Sequence, residues 1–171
     1  MLKTEVSILL NDQINKEFYS AYLYLDMSNY YYDQGLNGFG NWFRVQAQEE
    51  QDHAMLFLQY MLNNGEKVTL DAIAAPDVPF EDFKAPLVAA LEHEQYVTAS
   101  INNIYEEASK QKDYRTMQFL GWFITEQEEE ERNTGDLIQQ YDLFASDGKG
   151  LYLMDSELAA RVHTPPSLVL D

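Results

Sequence analysis

Apolar side chains recur three and four positions apart along four long stretches of the chain, the spacing by which an α-helix gathers them on one face. The pattern predicts a first helix over about residues 4–34, ended by Gly35, and a second over about 37–64, ended by Gly65. A third is expected over 81–110, where Pro86 is tolerable near the first turn, and a fourth over 113–144. Only the corner "QGLNG" separates the first two, and the third and fourth are joined as tightly, so each couple should pack as an antiparallel hairpin.

The segment between the second and third helices, "GEKVTLDAIAAPDVPFED", has two prolines and no sustained period, and reads as a loop. A helix of about 28 residues is about 42 Å long, whereas about 17 extended residues reach roughly 56 Å. The loop is therefore long enough to cross the bundle from end to end, giving two hairpins joined by one long crossover. After "ASDGKG", a short fifth helix is expected over Leu151 to Val162. Residues 1–162 are taken as a single domain, and "HTPPSLVLD", 163–171, as a C-terminal tail with no assigned structure.

The inward stripes are not uniformly apolar. On the second helix, the stripe through Phe43, Gln46, Glu50, His53, Phe57 and Tyr60 turns Glu50 and His53 inward, one turn apart. The first helix places Glu17 on its stripe, the third Glu94, and the fourth Gln127 and Glu130. Each interruption falls near the middle of its helix, so antiparallel packing brings them to one level. Four carboxylates in one core repel each other and lose hydration, which raises their pKa values or opens the bundle unless cations neutralise them. Oxygen-rich ligation with a single imidazole suits a hard or borderline ion such as iron, and four glutamates can serve two ions with one carboxylate bridging.

Charge and composition narrow the partners. The net charge of -18 over 171 residues disfavours nucleic acid and anionic lipid and attracts cations. The absence of cysteine rules out disulfides, thiolate zinc sites and iron-sulfur clusters, and cytoplasmic residence is the expectation. No stretch is long and apolar enough to span a bilayer, and the first residues lack the apolar run of a signal peptide.

Further acids surround the inward set. In "TEQEEEER", Thr125 to Arg132, Glu128 and Glu131 are expected in solvent, whereas Glu126 and Glu129 flank Gln127 and Glu130 on one side. With Glu49, next to Glu50, they are candidates for a further cation site or for a path away from the centre. Tyr24 lies two turns after Glu17 on the same stripe, where its phenol can hydrogen-bond a carboxylate or donate an electron, or simply pack in the core. Trp122 reads as a packing residue, and His93 and His163, lacking partners at ligand spacing, as surface histidines.

These residues resemble those of the non-haem bacterial ferritins, and the resemblance runs from "MLKTE" to "GLYLMDSELA". It rests on Glu17 with Tyr24, on "AQEEQDH" with Glu49, Glu50 and His53, on "HEQ" with Glu94, and on "EQEEEE" with Glu126, Gln127, Glu129 and Glu130. The resemblance implies an all-α, ferritin-like four-helix bundle with the long crossover and a short fifth helix. It further implies a ferroxidase that oxidises Fe(II) to Fe(III) with dioxygen or hydrogen peroxide and deposits ferric mineral inside a shell of 24 subunits. Glu17, Glu50 and His53 would then hold one iron, Glu50, Glu94 and Glu130 the other, with Gln127 nearby. Glu49, Glu126, Glu129 and Glu130 match the extra iron site of bacterial ferritins, and Tyr24 the tyrosine beside the centre. Haem is not expected: Glu130 stands where bacterioferritins carry a second histidine, and Gln51 where they carry the haem-ligating methionine. Two other functions are compatible with the same residues, a metal-storing shell without fast oxidation and a small di-iron oxidase acting on an organic substrate.

Overall fold

The computed structural model describes residues 2–170, and among these it contains five helices and no strands. In chain order they are α1 (Thr4–Asp33), α2 (Asn37–Asn63), α3 (Ala85–Lys110), α4 (Tyr114–Phe144) and α5 (Gly148–Leu158). The first four form the bundle expected from the stripes, α1 paired with α2 and α3 with α4, with α1 also meeting α3 and α5 seated on α2 and α4.

The corners show why the helices stop where they do. Gly35 and Gly65 both take positive φ, 77° and 75°, a conformation that costs glycine little. Around them Leu36 N–H donates to the Tyr31 carbonyl at 2.9 Å and Glu66 N–H to the Met61 carbonyl at 3.1 Å, so each helix end closes on itself.

The crossover does span the bundle, and it does so along α1. The Ser7 hydroxyl donates to Glu66, Asn11 exchanges hydrogen bonds with the backbone of Thr69, Asn15 donates to the Asp71 and Ala72 carbonyls, and the Tyr31 hydroxyl donates to the Phe83 carbonyl. Contact points that advance from residue 7 to residue 31 carry the chain back to the far end of α1. There α3 starts antiparallel to α1, and α4 runs antiparallel to α2.

Two boundaries differ from the periodicity. The third helix begins at Ala85, not at 81, because the Asp82 carboxylate accepts from the N–H groups of Lys84 and Ala85 at 2.9 and 2.8 Å and fixes the start just ahead of Pro86. The fifth runs over Gly148–Leu158 in place of 151–162. Asp147 caps its start through Gly150 N–H at 2.8 Å, and Asn41 Nδ2 reaches the carbonyls of Leu158, Ala159 and Arg161 past its end. Asp155, within α5, in turn accepts from the N–H groups of Gly38 and Phe39 at 2.7 and 3.0 Å, so it caps α2, whose own N-terminal neighbour Leu36 offers no side-chain cap. The approach is so close that a Cβ on Gly38 would sit 1.6 Å from the Asp155 carbonyl oxygen.

The apolar interior comes in two parts. One, around Val6, Leu10, Ile14, Phe57, Ile101 and Phe123, fills the end where α1 begins. The other, around Leu23, Met27, Tyr31, Phe39, Phe43 and Leu87, fills the opposite end. Between them lies a layer of buried polar side chains. Residues after α5 do not trail into solvent: Leu168 and Leu170 pack against the first cluster, and the Trp122 indole N–H donates to the Ser167 hydroxyl at 2.9 Å.

Candidate metal centre

Each helix delivers its part of the polar layer from the middle of its length. Glu17 from α1, Glu50 and His53 from α2, Glu94 from α3, and Gln127 and Glu130 from α4 are all buried, with at most 4 % of their surface exposed. Glu17, Glu50 and His53 each offer a ligand atom within 4.8 Å of the others. Glu17 Oε2 and His53 Nδ1 are buried without a hydrogen-bond partner, and His53 Nδ1 lies 3.4 Å from Glu50 Oε2. Buried polar atoms are seldom left unpaired, so lone pairs converging in this way fit a cation.

Glu94 and Glu130 lie outside that close group and are held by neighbours. The Tyr24 hydroxyl donates to Glu94 Oε1, and Gln127 Nε2 donates to Glu94 Oε2 at 3.0 Å. Gln46 Nε2 donates to Glu130 at 2.8 Å and to Glu50 at 3.3 Å, joining α2 to α4. Gln13 does the same work on the opposite side: its Nε2 donates to Glu17 at 2.8 Å, while its carbonyl accepts from Ser100, whose hydroxyl accepts from Lys16. Gln46 falls on the inward stripe of the second helix in the sequence pattern, but neither it nor Gln13 stands out there as part of the site. Their signal is visible in hindsight, since each stands four residues before a ligand-type glutamate, the spacing at which helical side chains meet.

The electrostatics follow from burial. Desolvation, and next the neighbouring Glu50 carboxylate, push Glu17 and Glu94 up to about 8; desolvation and Glu94 push Glu130 to about 8. Glu50 is raised as well, chiefly by burial and then by Glu130. Burial and the facing Glu94 carboxylate keep the Tyr24 phenol protonated. Without cations the layer therefore holds protons near neutrality, and a cation that enters must displace them.

Beside this layer, on the α2 and α4 side, opens a pocket of about 420 Å³. His53 and Glu130 border it from the centre, and Glu49, Glu126 and Glu129 from its outer side. Burial raises the pKa of Glu49 and Glu126, and in the case of Glu49 the Arg161 guanidinium opposes the rise. Trp122 packs edge-on to His53 with ring centres 5.6 Å apart and also borders the pocket.

Three expectations about surface residues need correction. His93 is largely buried between α1 and α3, accepts or donates at 2.7 Å to Ser20 Oγ, and is driven down to about 4 by desolvation, so its ring is neutral. His163 pairs with Asp52 at 2.7 Å. Glu131 is half-buried and accepts from the Thr98 hydroxyl, whereas Glu128 is exposed as expected. Both histidines owe their burial to segments that periodicity does not relate.

Among known proteins, a bacterial non-heme ferritin of Campylobacter jejuni is 40 % identical over 91 % of this chain and 93 % of its own. A probable bacterial non-heme ferritin-like protein of Haemophilus influenzae is 37 % identical over 92 % of this chain and 96 % of its own. The crystal structure of an open-pore ferritin from the hyperthermophilic archaeon Archaeoglobus fulgidus superposes with a TM-score of 0.92 at 39 % identity, covering 95 % of this chain and all of that one. Residues 8–144 match the model of the ferritin-like domain, and with four helices each giving a carboxylate to one buried layer, the chain belongs to the ferritin family.

Proposed function

We propose that this protein stores iron and oxidises it on the way in. The observation that carries the reading is the buried layer itself: four glutamates and one histidine, with unpartnered polar atoms on Glu17 and His53, placed where the carboxylates must either keep protons or take up cations to offset the cost of burying them. Ferrous iron is the substrate. Glu17, Glu50 and His53 hold one ion, and Glu50, Glu94 and Glu130 the second, with Glu50 shared. Two ferrous ions then pass two electrons to dioxygen or hydrogen peroxide. Concentrated carboxylate charge favours the ferric state over the ferrous, which gives the oxidation its direction.

The surrounding side chains keep this geometry. Gln13, Gln46 and Gln127 orient Glu17, Glu50, Glu130 and Glu94 by donating to them, which leaves the remaining carboxylate lone pairs for iron. Tyr24 does the same for Glu94 and is placed to supply an electron. Glu49, Glu126, Glu129 and Glu130 form a third iron site in the adjoining pocket, which serves as the way out toward the mineral. The mineral grows inside a shell of 24 chains in the cytoplasm, and the exposed apolar residues Leu143, Phe144, Tyr152 and Leu153 at the α4 to α5 corner supply surface for subunit contacts. No haem takes part.

Stopped-flow absorbance after mixing with Fe(II) tests the oxidation. The Glu50→Ala, His53→Ala double variant is expected to lose at least about 100-fold in initial rate; equal rates in variant and parent would overturn the ferroxidase assignment and leave passive storage. Size-exclusion chromatography after aerobic iron loading tests the storage. A small species holding only a few irons per chain would replace storage by a di-iron oxidase acting on another substrate.

A further inference from the structure

The residues after α5 fold back over the α2 and α4 face and complete the pocket next to the central layer. Thr164, Pro165, Pro166 and Ser167 line it together with Glu126 and Glu129. What fastens this strap at the pocket is a charge. The Arg161 guanidinium forms an ion pair with Glu49 Oε2, donates from Nη1 to the Trp42 carbonyl at 3.2 Å, and stacks 4.3 Å from the Trp42 ring centre. Both Arg161 and Glu49 are largely buried, with about a fifth of each side chain exposed. Little solvent reaches the pair to screen it, although at Glu49 the loss of hydration outweighs the attraction. Two further ties hold the rest of the strap, His163 to Asp52 and Trp122 to Ser167.

Arg161 consequently delivers one positive charge to an acidic pocket that a metal ion would otherwise neutralise. A carboxylate engaged by a guanidinium has fewer lone pairs to offer, and the guanidinium repels any second cation close by. We infer that Arg161 is a built-in competitor for the pocket: a cation binding at Glu49, Glu126 and Glu129 displaces Arg161 from Glu49 and loosens the strap that walls the pocket. Arg161 is thus a positioning residue, setting how strongly the pocket holds an ion passed to it and coupling occupancy to the opening of its wall. By linkage the coupling is reciprocal, so a tightly seated strap weakens cation binding and a filled pocket weakens the seat of the strap.

The inference rests on the reading of the pocket as a third cation site, and the test separates the two. The probe is Tb(III), a hard trivalent cation whose luminescence Trp122, at the pocket wall, sensitises. It is titrated into full-length protein whose centre has been pre-filled with two equivalents of Zn(II) per chain. Arg161→Gln is expected to tighten Tb(III) binding tenfold or more, and Glu126→Gln to weaken it. In the unsubstituted protein, filling the pocket is expected to speed amide hydrogen exchange over residues 161–170. Unchanged or weaker binding in Arg161→Gln, or exchange that stays the same or slows on filling, overturns the competition while a Glu126→Gln defect leaves the third site standing. If Glu126→Gln also binds as the parent does, the third site itself falls.

Discussion

The centre of the bundle and the pocket beside it are both assembled from glutamates, yet they manage the charge differently. At the centre, four carboxylates are buried so deeply that Glu17, Glu94 and Glu130 rise to about 8 and keep protons. In the pocket, Glu129 is exposed, Glu49 and Glu126 keep some contact with solvent, and a guanidinium from a distant part of the chain holds one of them. Protons offset the carboxylate charge at the first, and Arg161 at the second. A site guarded by protons responds to pH; one guarded by a tethered cation responds to the position of a chain segment.

The sharpest break in this comparison comes from removing one acid on each side. Glu94→Ala is expected to weaken Zn(II) binding at the centre by about 100-fold, whereas Glu126→Ala is expected to remove a weaker binding event in the pocket and to leave affinity at the centre within a few-fold. Isothermal titration calorimetry of the metal-free protein checks both, by affinity in one case and by stoichiometry in the other.

The next largest effect is protonic. Because Glu17, Glu94 and Glu130 are protonated below about 8, Zn(II) binding at the centre is expected to release more than one proton per chain at pH 7. Binding in the pocket should release fewer. Titrations in buffers of different ionisation enthalpy give the two numbers, and equal release would erase the distinction.

Stability of the metal-free protein carries the same information with a smaller amplitude. A carboxyl that titrates near 4.5 when unfolded and about 8 when folded binds more protons in the native state throughout that interval. Its stabilising contribution is complete below 4.5 and is lost as pH rises through about 8. The melting temperature is therefore expected to fall between pH 5 and 8. Glu17→Gln, which keeps the shape and cannot ionise, should flatten the slope, as should saturating Zn(II).

The smallest effect should come from Tyr24→Phe. Loss of the hydroxyl that donates to Glu94 is expected to cost about 1 kcal/mol of stability in chemical denaturation, with Zn(II) affinity changed by less than about tenfold. A larger loss of affinity would make the phenol part of the coordination geometry.

The four main helices and the polar layer were legible in the sequence for one reason. Helical periodicity reports which side of a segment faces inward, and an acid in the middle of such a side stands out at Glu17, Glu50, Glu94 and Glu130. The same logic is silent on contacts between segments that share no period. Arg161 meets Glu49 and Trp42, His163 meets Asp52, and Ser167 meets Trp122 across gaps of 45 to more than 100 residues, in a stretch with no repeat to align it. His93 shows a subtler failure. It neighbours an inward residue, Glu94, and its burial comes from Tyr19, Ser20 and Tyr24 on α1 closing over it. The boundaries of α3 and α5 moved for a local reason, because the caps at Asp82 and Asp147 set the first turns ahead of or behind the apolar pattern.

Asp155 caps the first turn of α2 from within α5, and Gly38 has no room for a methyl group beneath it. The helix that carries Glu49, Glu50 and His53 therefore begins on a foundation laid by the last helix of the chain. Whatever grips the exposed side of α5, at Tyr152 and Leu153, pulls on the same beam that supports the buried Glu50 and His53. A partner docked there would stiffen the polar layer from about half the length of α2 away, so that the outer face of α5 and the buried carboxylates are mechanically continuous.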